Sequence, residues 1–144
     1  MRGALVDSSV LVAAVLEDEA DHDVAVRFLQ RMADDGVEPL VAAHGRFEVR
    51  HAIVFAANRG RLAWGDVRVR LGLVDGLDAT VVPLSPEDRP VLRLAEAHRL
   101  TWADAHWVEI AARLDLPLVT ADQRLILAVP DEVAILVDVR EAAA

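Results

Sequence analysis

The sequence predicts an α/β sandwich built on a mostly parallel central sheet, and three observations lead there. Strand-like and helix-like segments alternate along the whole chain. The strand-like segments are short and apolar throughout rather than alternating, as in strands covered on both faces. No repeat, linker or low-complexity stretch divides the 144 residues, which suits one domain over residues 1–144.

Gly3 to Val6 is a short apolar run ended by Asp7 and reads as a first, buried strand. Ser8 and Ser9 are capping types and open a helix running to about Leu16. Asp21 to Met32 sets Val24, Val26, Phe28, Leu29 and Met32 at amphipathic spacing, a helix stopped by Gly36. Pro39 to Ala42 is the second strand. Phe47 to Ala57 reads as a helix closed by Asn58-Arg59-Gly60. Trp64 to Leu77 is a further helix and Thr80 to Leu84 a strand. Ser85-Pro86-Glu87-Asp88 combines a cap, a proline and two acids, and predicts a helix from there to about Arg99. Thr101 begins another, ending near Leu114. Pro117 to Thr120 is a strand, Ala121 to Leu127 a short helix, and Val133 to Val137 a last strand. The Glu141 to Ala144 tail is expected to fray.

Hydrophobic residues make up 54% of the chain, enough for a full core. No apolar stretch approaches bilayer-spanning length, and Asp7 falls too early for a secretion-signal core. A cytoplasmic location without membrane attachment is therefore expected. With no cysteine, neither a disulfide framework nor a thiolate metal site is possible. All fifteen basic residues are arginine. The net charge of −9 is the wrong sign for a phosphate backbone. It points either to acids gathered around a divalent cation or to a basic protein partner.

In open parallel sheets, sites form beyond the carboxyl ends of strands, where strand order reverses. Asp7 ends the first strand, and Asp122 lies two residues beyond Thr120 at the end of the fourth. Asp104 is in the first turn of the helix opened by Thr101, and Glu48 begins the helix after the second strand. Each has an ordinary reading: a turn residue, a solvated helix face, one half of a capping box, a helix-start acid. Against that, all four are flanked by strongly apolar sequence, where a carboxylate is costly unless paired. No lysine exists to pair them. Arg46, Arg50 and Arg124 are near in sequence and are candidates for phosphate contact, with plain surface charge as the alternative.

Four segments together resemble a known family. Val6-Asp7-Ser8-Ser9-Val10-Leu11 resembles the opening of PIN domains, and Phe47-Glu48-Val49-Arg50 their second acidic motif. Asp104-Ala105-His106-Trp107-Val108-Glu109-Ile110-Ala111 resembles the third motif, and Leu118-Val119-Thr120-Ala121-Asp122-Gln123-Arg124-Leu125 the fourth. The match is in order and covers roughly residues 3 to 137. Length and the Glu-Val-Arg motif look most like VapC toxins. Ala103 stands where many relatives carry Tyr, His51 where Asn is common, and no further acid adjoins Asp122.

The resemblance implies a three-layer α/β/α fold and a metal-dependent endoribonuclease, the toxic half of a VapBC-type toxin–antitoxin pair. It implies Mg²⁺ or Mn²⁺ held by Asp7, Glu48, Asp104 and Asp122, with Ser9 and Thr120 as supporting hydroxyls. It also implies a homodimer restrained by a VapB-like antitoxin. Hard cations held by carboxylates suit phosphodiester hydrolysis. Two like charges about 4 Å apart repel by roughly 4 kcal/mol at an effective dielectric near 20, so four are expected to assemble weakly until metal orders them. Asp7 and Asp104 are expected as core ligands of one ion, with Asp122 sharing it or a second ion. Glu48 would bind through water or orient the nucleophile. Trp107 is expected in the core, while Trp102 could stack on a base. His44 and His106 lack a second spaced histidine motif and are left out of the site. Ala52, Ile53, Phe55, Leu62 and Trp64 are candidates for a dimer or antitoxin surface, or for core packing.

Other α/β classes fit less well. Receiver-like and haloacid-dehalogenase-type domains use a lysine that this chain lacks, and the latter wants Asp-x-Asp where Asp7-Ser8-Ser9 stands. The dinucleotide fingerprint Gly-x-Gly-x-x-Gly is absent. A histidine-based ribonuclease would need no metal, so chelation separates it. A catalytically inactive PIN-fold adaptor would be indifferent to Asp7→Asn.

Overall fold

The computed structural model describes residues 3–144. Its centre is β1, Gly3–Val6, whose four residues are all buried. On one side lie β2, Glu38–Ala42, and then β3, Thr80–Val82; on the other lie β4, Leu118–Thr120, and β5, Leu136–Asp138. The sheet order is β3-β2-β1-β4-β5, and every pairing is parallel. The fold is thus α/β, as the alternation of segments predicts.

From β1 the chain steps outward through β2 to β3, then crosses back over β1 to β4 and β5. Four helices serve the outward run: α1, Ser8–Val15; α2, His22–Asp34; α3, Ala43–Asn58; and α4, Val67–Gly76, preceded by a 3-10 turn at Trp64–Asp66. They pack on one another. The return is made by α5, Asp88–His98, and α6, Trp102–Leu114, which pack together as a pair. Right-handed crossovers running in opposite directions place these two sets on opposite faces of the sheet. Two short helices complete the chain: α7, Gln123–Ala128, and α8, Val139–Ala142, which docks against α2. The core joins Leu5 and Val6 to Val49 and Ile53 of α3, Trp107 and Ile110 of α6, and Leu118 and Val119 of β4.

Several boundaries differ from the sequence expectation. Helix α3 starts at Ala43, not Phe47, because β2 runs into it with Ala42 as an N-cap that offers no side-chain bond. Glu48 therefore sits in its second turn rather than at its start. Ser8 and Ser9 are not the caps of α1; Asp7 holds that position, and the serines are the first helical residues. Ser85 and Pro86 precede α5 rather than beginning it, with Glu87 as N-cap, and Ser85 forms a local turn with Glu87 instead. The last strand is Leu136–Asp138, later than Val133 to Val137. The tail expected to fray carries α8, where Asp138 caps Arg140 N–H at 2.9 Å and Val139 is buried.

Candidate active site

Strand order reverses between β1 and β4, and both strands end in chemistry-bearing residues. Asp7 follows Val6 directly, and its backbone N–H donates to the Val119 carbonyl at 2.9 Å, which fastens it to β4. Its carboxylate does not cap α1. Instead Oδ2 accepts from Ser9 Oγ at 2.5 Å and from Thr120 Oγ1 at 2.9 Å. Each hydroxyl has one proton, and both protons go to Asp7. The hydroxyl oxygens in turn accept from Ala121 N–H and Asp122 N–H, each at 3.0 Å. Two side chains on different elements thus link the β4–α7 turn to one buried carboxylate.

The other acids are held by different devices. Asp122 is the N-cap of α7 and accepts from Arg124 N–H at 3.0 Å. Asp104 is the third residue of α6, behind the Thr101 cap, whose Oγ1 accepts from its N–H at 3.1 Å. Glu48 Oε1 accepts from Trp107 Nε1 at 2.9 Å and from Ser8 Oγ at 3.3 Å, and lies 3.6 Å from His44 Nε2. His44 donates through Nε2 to the Ala103 carbonyl at 2.9 Å, which ties the start of α3 to the start of α6. The Trp107 ring can come this close because position 45 is glycine: a Cβ there would stand 2.6 Å from the ring.

Asp7, Glu48, Asp104 and Asp122 line one cleft of about 590 Å³, together with Ser8, Ser9 and Arg124. Burial raises the Asp7 carboxyl from 3.8 to about 6, against the Ser9 and Thr120 hydrogen bonds, with the charges of Glu48 and Asp104 adding to the rise. Burial likewise raises Asp104, helped by the charges of Asp122 and Glu48. The four acids thus form one electrostatic group. Glu19 and Asp21 also line the cleft, but each lies against an arginine, Arg61 and Arg140. Among the described residues only Asp122 of the quartet forms an ion pair with an arginine, Arg124 at 3.6 Å with a side chain 93% exposed, and the same guanidinium charge partly offsets the rise at Asp104.

Among the described residues, no three ligating side chains are drawn closely enough together to grip an ion as they stand. The donor set nonetheless fits a hard divalent cation: it is all carboxylate oxygen, partly desolvated, and largely without positive side chains.

The three arginines singled out from sequence part company. Arg124 lines the carboxylate cleft. Arg46 lines a separate cleft with Asp75 and Asp78, and Arg50 is ion-paired with Asp75. Trp102 is exposed and meets His106 edge-on, while Trp107 is fully buried. Sequence reasoning missed the Trp107 and His44 contacts to Glu48. A signal existed for each: Trp107 is three residues beyond Asp104 and His44 four before Glu48, so each shares a helix face with an acid.

Residues 4–131 match the PIN domain family. Among solved structures, the chain is similar to that titled "Crystal structure of PAE2754 from Pyrobaculum aerophilum", at 26% identity and a TM-score of 0.73. The likeness covers 98% of this chain and 86% of the other. No curated protein matches the chain significantly.

Proposed function

The chain belongs to the PIN-domain family, and on that premise we propose that it is a divalent-metal-dependent endoribonuclease, the toxic component of a VapBC-type toxin–antitoxin module. The observation that carries the reading is the gathering of Asp7, Glu48, Asp104 and Asp122 in one cleft at the carboxyl ends of β1 and β4, with Asp7 buried and its carboxyl raised to about 6. Uncompensated carboxylates are expensive to keep in a fold unless a ligand uses them.

Asp7 and Asp104 would be the core ligands of Mg²⁺ or Mn²⁺, with Asp122 beside them and Glu48 at the margin. The ion, when bound, supplies a lowered pKa for water and polarises the phosphate. Ser9 and Thr120 hold the Asp7 carboxylate in one orientation by donating to a single oxygen. Trp107 and Ser8 occupy Oε1 of Glu48 and leave Oε2 to accept from an attacking water. Arg124, exposed on the rim of the cleft, meets a backbone phosphate. The expected products carry 5′-phosphate and 3′-hydroxyl ends.

The net charge of −9 suits a basic VapB-like antitoxin segment lying over the cleft. Trp64, 58% exposed, is apolar surface open to a second copy in a homodimer. Among the described residues no helix is long and apolar enough to cross a membrane, and a cytoplasmic site of action fits an RNA substrate.

The test is cleavage of an end-labelled RNA pool by purified protein with Mg²⁺ or Mn²⁺, with EDTA, and with Asp7→Asn or Asp104→Asn. Metal-dependent cutting that both substitutions abolish is the expected result. Cutting that survives EDTA would overturn the mechanism, and cutting indifferent to both substitutions would overturn the site.

A further inference from the structure

Helix α3 carries Phe47, His51, Phe55 and Arg59 at four-residue spacing, the last as its C-cap, so the four side chains lie along one face. The Phe47 and His51 rings are stacked with centroids 5.9 Å apart, and those of His51 and Phe55 follow at 6.4 Å. The Arg59 guanidinium lies 5.0 Å from the centre of the Phe55 ring. All four residues are exposed, Phe47 to 71%. Their neighbours Arg50, Arg61 and Arg70 each have a carboxylate partner. Arg59, like Arg46 beside Phe47, has no ion pair among the described residues. The line also has a direction. Phe47 and His51 line the carboxylate cleft, and twelve residues of helix carry the line about 18 Å away from it.

We infer that this line is a stacking platform for a single-stranded nucleic-acid segment running out of the carboxylate cleft; the inference rests on the nuclease reading above. Aromatic faces and a guanidinium plane accept any base, and their alternation with cationic groups serves the phosphates between bases. Continuity with the cleft places the platform where the strand on one side of the reacting phosphodiester must leave. The charge argues against a protein occupant: an apolar partner would have to bury His51 and an unpaired Arg59 within the patch. A flexible polyanion meets both groups favourably in a molecule that otherwise repels it.

The experiment is binding of labelled uridine oligonucleotides, two to eight residues long, to the full chain in EDTA, where metal-dependent cleavage is silent. Affinity is expected to climb with length until the strand reaches Phe55 and Arg59. Phe55→Ala should weaken octamer binding on the order of tenfold. Arg59→Ala should flatten the salt dependence by about 0.7 in the log–log slope, the signature of one lost phosphate contact. Octamer affinity and salt slope unchanged in both variants would overturn the platform. So would a Phe55→Ala protein that alters only the sedimenting mass, which would give this face to a second copy. Length-dependent binding that follows the ladder, without any cleavage in Mg²⁺, keeps the platform and removes the nuclease; cleavage with binding blind to the ladder does the reverse.

Discussion

Asp7→Asn should make the metal-free protein more stable while abolishing its activity. The replacement is nearly isosteric, and the amide oxygen can keep accepting from Ser9 and Thr120, which both donate to Oδ2. What disappears is the buried charge. Moving the carboxyl from 3.8 to about 6 corresponds to about 3 kcal/mol of folded-state preference for the protonated form. An acid whose pKa rises on folding contributes its stability fully below the unfolded value and loses it as pH climbs through the folded one. At pH 8, in EDTA, the wild type therefore bears the whole cost and the variant none. Allowing for the amide N–H groups that must find partners, the expected gain is about 2 kcal/mol. For a chain of this size that is about 4–8 °C in Tm. Thermal melts of both proteins across pH 4–8 measure it. The gap should fall to about a third of its pH 8 size by pH 5 and close before pH 4 is reached. A variant no more stable than wild type at pH 8, or a gain that ignores pH, would refute the claim that this carboxylate is held against its preference.

Other outcomes follow from neighbouring contacts. Gly45→Ala places a Cβ 2.6 Å from the buried Trp107 ring, so the usual helix gain is outweighed and about 1–2 kcal/mol is lost, read as a lower urea midpoint. Trp107→Phe removes the indole donor to Glu48 along with three ring atoms of a fully buried side chain, and should cut the cleavage rate at saturating RNA about tenfold. Thr120→Val strips one of two donors from Asp7 and should cost about 1.5–3 kcal/mol at pH 8 and less below pH 5, measured by denaturant titration at both pH values. Arg113→Ala leaves the buried Glu109 without its partner at 2.8 Å; because Arg113 is itself 42% exposed, water replaces part of the contact and the loss in Tm should correspond to about 1–2 kcal/mol.

The strands were legible because each is a short apolar run, Asp7 and Asp122 because each falls just beyond one, and Asp104 because it lies in a first turn, whereas Glu48 belongs to the second turn of α3 and not its start. Boundaries failed where the local signal and the tertiary role diverged. Ser9 looks like a helix cap, but its proton goes to Asp7 and its oxygen to Ala121 N–H. Ala42 looks like nothing at all, and α3 starts there because the end of β2 already sets its direction. The carboxylates separated by eighteen to over a hundred residues were placed together by strand order, which the sequence reveals only through the alternation of elements. Arg46 and Arg50, candidates for phosphate contact by nearness in sequence alone, lie instead with Asp75. Each lies two residues from Glu48, and two residues turn a helix by about 200°, so both face away from the acid they flank. Helical phase alone would have separated them. The indole bond of Trp107 depends on Gly45 leaving room for a ring from another helix, and no local pattern reports such a vacancy.

The Asp7–Thr120 bond spans 113 residues of chain. Strand β1 is translated well before the hydroxyl that orients its acid and before the Asp122 that completes the group. A growing polypeptide therefore carries no finished cleft until β4 has emerged and slid in beside β1. A product truncated before β4 lacks the finished group of acids however well its leading portion folds.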